Sequence, residues 1–336
     1  MTRTFWMITN RRIVGDDLIC DRGRLAFFVS SAGEIDNFSS WQELPQQDFL
    51  DQLKSAADEF PRIDDRALHE EQKHITLFVH GYNNNWRSSA RMYARICDQL
   101  FNDQGRNLGL CILFAWPSDG MLLNYLPDRA DARESAPDLA EILSLLHDHL
   151  LVKQPLGARD AALSCKAKTS IIAHSMGNYV LQKAMHIAWT RHNQPLLVSL
   201  INQLIMVAAD IDNDVFGNAT NSSESDGEAI ANLTYRVTAL YSGRDSVLGM
   251  SAGLKHFGKR RLGRSGLDRT KSLPDNVWDV DCSKLFSKDE RDIHSGYFRE
   301  ETTLNLMEVL LRGVDRNVIM ESEFQSGNDL ERSVSA

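Results

Sequence analysis

The sequence predicts an α/β fold, a mostly parallel central sheet with helices on both faces. Three observations predict it. Short apolar runs alternate with helical patterns of roughly 10–15 residues, as βαβ units require. Several runs are apolar at successive positions, which suits strands covered on both faces. One run, Thr169 to Ala173, reaches a serine, Ser175, that Gly177 follows two residues later, and a helical pattern begins there (Tyr179, Val180, Leu181, Ala184, Met185, Ala188).

In chain order, Phe5–Thr9 and Arg24–Ser30 read as edge strands. His74–His80, Leu110–Ala115 and Thr169–His174 read as buried strands. Leu204–Ala209, Tyr235–Tyr241 and Asn276–Asp281 complete the set. Helical patterns cover Phe49–Glu59, Ser88–Asn102, Ala136–Leu151, Gly177–Arg191, Val247–His256 and Glu300–Arg312. The polar stretch 217–226 reads as surface loop, with little to bury. The α/β pattern continues on both sides of it, so residues 1–315 read as one domain. Residues 316–336 read as a flexible acidic tail, largely polar and acidic from 321.

Composition removes several classes. No apolar run approaches the roughly 18–20 residues of a membrane span. The first residues lack the apolar core of a signal peptide. The five cysteines are scattered, odd in number and without metal-ligand spacing, and read as free thiols in a reducing cytoplasm. No metal site is expected. A net charge of −9 speaks against a nucleic-acid binder.

The Ser175 turn has the layout of a nucleophile elbow, a tight strand-to-helix turn that lifts a hydroxyl above the sheet. The positions two before and two after the serine must be small; Gly177 meets this, and Ala173 departs from glycine by one methyl. A nucleophilic serine needs a base and the base an orienting acid, in the chain order serine, acid, histidine. The loop after Tyr235–Tyr241 carries Asp245, and His294 follows the last strand, so the expected set is Ser175, Asp245 and His294. Asp210, at the end of Leu204–Ala209, is the alternative acid.

An oxyanion needs two backbone donors, one just after the nucleophile and one from an earlier strand–helix loop. The expected donors are Met176 and Tyr82, with Asn83 close behind; Gly81 lets the backbone turn toward the substrate. The pocket is expected to include His80, Gly81, Asn83, Trp116 and His174, with a buried structural Trp116 equally open. Residues 120–128 read as the packed start of a helix or an apolar flap. The basic stretch Lys255–Arg264 reads as a solvated face, the alternative being attraction of an anionic substrate or lipid headgroup and peripheral membrane contact.

Thr-Asn-Arg (9–11), His-Gly-Tyr-Asn-Asn (80–84), Ala-Trp-Pro-Ser (115–118), Ala-His-Ser-Met-Gly-Asn (173–178), Ala-Ala-Asp-Ile-Asp (208–212) and His-Ser-Gly-Tyr-Phe (294–298) together resemble the bacterial α/β-hydrolases of the DUF900 type. The resemblance runs from about residue 5 to 312. It implies an α/β-hydrolase fold and a serine hydrolase using Ser175, Asp245 and His294, with no metal or organic cofactor. It brings little knowledge of substrate.

The expected activity is cleavage of a small-molecule or lipid ester through an acyl-enzyme. The stretch between the strands ending at Ala209 and beginning near Tyr235 is short and largely polar, so the cap is minimal and a carboxylesterase is favoured over a triglyceride lipase. A phospholipase or lysophospholipase stays open through the basic stretch, as do amide hydrolysis and acyl transfer. A non-catalytic binding protein on the same fold is the reading from another class. The sequence does not fix the oligomeric state.

Overall fold

The computed structural model describes residues 3–31, 33–60, 73–82, 85–102, 105–118, 125–157, 167–191, 201–217, 227–255 and 259–321. The strands are β1 (Phe5–Val14), β2 (Asp17–Ser30), β3 (Gln42–Leu44), β4 (His74–Val79), β5 (Gly109–Ala115), β6 (Lys168–His174), β7 (Ile201–Val207), β8 (Thr234–Tyr241) and β9 (Val277–Asp281). They form one sheet in the order β3-β2-β1-β5-β4-β6-β7-β8-β9. β1–β2 and β2–β3 pair antiparallel, and every other neighbouring pair is parallel. This is the α/β-hydrolase architecture that the resemblance implies.

The helices are α1 (Gln46–Asp58), α2 (Trp86–Leu100), α3 (Tyr125–Gly157), α4 (Gly177–Arg191), α5 (Gly227–Leu233), α6 (Ser246–Lys255), α7 (Leu262–Ser265), α8 (Ile293–Gly296), α9 (Glu301–Leu311) and α10 (Arg316–Glu321). Strand side chains alternate between the faces, so each strand feeds two cores. Ile75, Leu77 and Val79 of β4 join residues of α1, α3, α4 and α5 on one face. Phe78 of the same strand joins residues of α2 and α9 on the other. Burial on both faces explains the unbroken apolar runs of β4 through β7.

Three readings are corrected. β1 lies between β2 and β5, and β2 between β1 and β3, so neither is an edge strand; the edges are β3 and β9. Phe5, Trp6, Met7 and Ile8 are all buried, which interior placement requires, but a run so short does not reveal its neighbours. Residues 316–321 form α10 with Ile319 buried, so helical chain continues into the expected tail. Of the stretch 120–128, residues 125–128 belong to α3, and 120–124 lie outside the described residues, as do 218–226 of the polar loop. No helix among the described residues is long and apolar enough to cross a membrane.

Candidate active site

Parallel strands deliver the loops at their carboxyl ends to one edge of the sheet, where such folds bind ligands. β6, β7 and β8 stand side by side, so the residues after His174, Val207 and Tyr241 converge there. Ser175 follows β6 directly and has φ of 51°, the left-handed region that non-glycine residues rarely enter. Its N–H donates to the Val207 carbonyl at 2.9 Å, and its own carbonyl accepts from the Asp210 N–H at 3.1 Å. Asn178, fully buried in the first turn of α4, donates its Nδ2 to the carbonyls of Ala173 (2.9 Å) and Ser175 (3.2 Å). A Cβ on Gly177 would stand 2.4 Å from the His80 carbonyl oxygen, so only glycine fits.

His294 sits in α8. Its Nε2 lies 2.8 Å from Ser175 Oγ, and its Nδ1 lies 2.7 Å from Asp245 Oδ2. A carboxylate only accepts, so Nδ1 carries the hydrogen and Nε2 presents its lone pair to the serine hydroxyl. The second oxygen of Asp245 accepts the Leu248 N–H at 2.9 Å, capping α6 and fixing the carboxylate plane. Burial alone would lower the His294 pKa, but the carboxylates around it, Asp245 first and then Asp210 and Asp292, together offset this and raise it above its ordinary value. Three side chains separated by up to 119 positions in sequence thus form one hydrogen-bonded chain.

Asp210 is placed otherwise. Its Oδ1 accepts from Arg261 Nε at 2.7 Å and from Ser251 Oγ at 3.2 Å, while both His294 nitrogens are taken by Ser175 and Asp245. Arg261 has no exposed side-chain surface and also bonds Asp212 and the Asp210 carbonyl. This corrects Asp210 as the alternative acid: its carboxylate is committed to a buried guanidinium.

The expected pocket residues divide. A Cβ on Gly81 would come within 2.7 Å of Ser175 Cβ, so this turn lies against the serine. Tyr82 follows it, half-buried, and the Met176 N–H finds no acceptor among the described residues. Asn83 lies outside the described residues. His80 and Trp116 have no exposed surface and stack with ring centroids 5.2 Å apart, the indole N–H donating to the His80 carbonyl at 2.8 Å. Both are buried beside the loop, which corrects the pocket expectation for His80 and leaves the buried structural reading for Trp116. His174 is likewise buried, with its Nε2 2.9 Å from the His294 carbonyl oxygen.

The described residues of the basic stretch divide between the surface and the interior. Arg261 faces inward, Lys259 pairs with Asp212 at 3.0 Å, and Arg264 donates to the Asp245 carbonyl. Lys259 and Arg260 are exposed to solvent, Arg264 is partly buried and Arg261 is buried. Lys255 is described only in its backbone, and residues 256–258 lie outside the described residues.

Two contributors were not singled out from sequence. Asn178 carries a weak signal, an amide in the first turn of an apolar helix. Arg244 carries none. Its Nη1 donates to the carbonyls of Ser283 and Phe286 and its Nη2 to those of Ser287, Lys288 and Glu290, binding the loop that leads to His294.

The sequence model of a family described as alpha/beta hydrolase of unknown function (DUF900) matches residues 56–313. An uncharacterized protein of Nostoc sp. is 28% identical over 132 residues, a stretch that is 33% of this chain and 31% of that protein. Among solved structures, an esterase of Pyrobaculum calidifontis is similar over 93% of this chain and 85% of its own, with 8% identity and a TM-score of 0.40. The phospholipase PlaB of Legionella pneumophila, in complex with thio-NAD, is similar over 73% of this chain and 60% of its own, with 14% identity and a TM-score of 0.39.

Proposed function

We propose, from the premise that the chain belongs to the DUF900 family of α/β-hydrolases, that it is a serine hydrolase cleaving carboxylic esters through an acyl-enzyme. The observation that carries this reading is the continuous chain Ser175–His294–Asp245, with contacts of 2.8 and 2.7 Å. Ser175 Oγ attacks the ester carbonyl as its proton passes to His294 Nε2. Asp245 holds Nδ1–H and stabilises the imidazolium that forms. The oxyanion takes hydrogen bonds from the N–H groups of Met176 and Tyr82, the first without a competing acceptor among the described residues. Collapse expels the alkoxide, which His294 protonates. A water then gives its proton to His294 and attacks the acyl carbon, releasing the acid and restoring Ser175 Oγ–H.

The stretch from the end of β7 at Val207 to α5 at Gly227 is short, which supports a carboxylesterase over a triglyceride lipase. The buried Arg261 is committed to Asp210 and Asp212, which weakens the charge argument for a phospholipid substrate. A fluorophosphonate probe is expected to label the wild type and spare Ser175→Ala. Asp245→Asn is expected to lower acylation by roughly 10³–10⁴-fold, while Asp210→Asn leaves the rate of the folded fraction within about tenfold. An unlabelled, folded wild type sinks the hydrolase reading, and a reversed ranking of the two aspartates sinks the assignment of the acid. A panel of p-nitrophenyl esters of increasing chain length, beside phospholipids, tests the substrate class.

A further inference from the structure

We propose that His174 is a positioning residue, holding the His294 loop against the serine by donating its Nε2–H to the His294 carbonyl. The proposal rests on the serine-hydrolase reading and adds to it. The contact is 2.9 Å, between the buried His174 ring and the carbonyl of the partly buried His294. A carbonyl oxygen only accepts, so Nε2 carries the hydrogen, and in the neutral ring Nδ1 is a bare acceptor. Nδ1 is buried without a partner among the described residues. It faces the turn at Gly81, where a Cβ would stand 2.8 Å from it. Burial first, and the neighbouring His294 second, lower the His174 pKa to about 3. The donor tautomer therefore persists, and no second cation opposes the imidazolium that forms on His294.

Packing does not demand an imidazole here. The His174 ring meets Phe298 edge-on at 5.4 Å and lies 5.0 Å from the His294 ring, contacts that any aromatic ring supplies. What histidine adds is one donor aimed at one acceptor, at the cost of an unpaired buried nitrogen. The two hydrogen bonds close a ring. The His294 side chain reaches Ser175 Oγ, and the side chain of the residue before Ser175 reaches the His294 backbone. Neither element can slide past the other without breaking one of the two.

The test is steady-state hydrolysis of p-nitrophenyl acetate by His174→Phe, His174→Gln and His174→Asn. A misplaced base is expected to lower kcat of His174→Phe about 10²-fold with KM within about twofold. The glutamine amide reaches the place of Nε2, so His174→Gln is expected to recover to within about fivefold of wild type. The asparagine amide reaches only the Nδ1 place, and His174→Asn is expected to stay as low as the phenylalanine variant. The proposal is overturned by a folded His174→Phe within about threefold of wild-type kcat, against the roughly 10²-fold loss that a displaced base brings. It is equally overturned if the glutamine and asparagine variants fall together, a contrast that holds even when His174→Phe does not fold. If wild type neither turns over nor takes the fluorophosphonate, the hydrolase reading has failed instead. The low-field proton signal of His294 Nδ1–H then decides: lost in the asparagine variant and kept in the glutamine variant, it supports the positioning role; unchanged in both, it overturns it.

Discussion

The serine elbow and the histidine loop meet at 2.8 Å, yet they are held in different ways. The elbow is fixed locally and by backbone. Ser175 sits in a left-handed conformation, its N–H and carbonyl are bonded to the β7 strand and the loop after it, and Gly177 leaves no room for a side chain. The histidine loop is held mainly by side chains, the local pair of Arg299 with Asp292 among them. α8 is four residues long, capped by Asp292, and the chain before it is bound by one arginine from another loop. The nucleophile is therefore built into the sheet, whereas the base is held mainly through side chains. A change in the elbow should cost fold and activity together, and a change around the histidine loop should cost activity first.

The largest effect tests the elbow. Gly177→Ala places a methyl carbon 2.4 Å from the His80 carbonyl oxygen and 2.6 Å from that of Val79, so the strand-to-helix turn must open. The expected result is a loss of at least about 3 kcal/mol in stability, at or beyond the usual upper range for overpacking, because the clash is with backbone. Fluorophosphonate labelling should fall in parallel. A variant that melts like wild type and labels normally would show that the elbow is not locked as described. The histidine loop should respond differently to Arg244→Ala, which removes the donors to five carbonyls (Ser283, Phe286, Ser287, Lys288, Glu290). Those bonds are partly exposed, so the expected cost is about 1–2 kcal/mol, with kcat lowered about tenfold. Arg244→Lys should fall between, because an ammonium lacks the planar fork that reaches several carbonyls. Equal losses of stability in Gly177→Ala and Arg244→Ala would break the distinction.

The same contrast explains what was legible in the sequence. The elbow was readable because its requirements lie within a few residues: an apolar strand, a serine, a glycine, a helical pattern. Strands β4 to β7 were readable for the same reason, since burial on both faces writes largely apolar runs. Ser175, Asp245 and His294 could be ranked because topology orders them along the chain. Arg244, Arg261 and His174 could not be assigned their contacts. Each acts across dozens of residues, and nothing local distinguishes an arginine that clasps a loop from one that faces water. Lys255–Arg264 shows this directly, since a run of positive charge contains an arginine with no exposed side-chain surface.

The smallest effect per group separates the two regions by pH. His74, His80 and His174 are buried and held neutral, burial lowering each pKa to about 3. Unfolded, each titrates near 6.5, so the unfolded chain binds protons that the folded chain refuses. Their stabilisation is complete above pH 6.5 and declines as pH falls toward 3. His294 has the opposite sign. Its raised pKa contributes stability at low pH that is lost as pH rises through its folded value. On balance, denaturant titration should show stability falling from pH 7.5 to 5.5, by on the order of 1 kcal/mol for each of the three buried histidines, less the His294 contribution. Activity should fall earlier, because His294 must be neutral to accept the serine proton and begins to protonate above pH 6.5. Ester hydrolysis is thus expected to decline at a pH where the melting temperature has not yet moved. If activity and stability decline together, loss of the fold and not protonation of the base sets the acid limit, and the histidine loop is no more vulnerable than the elbow.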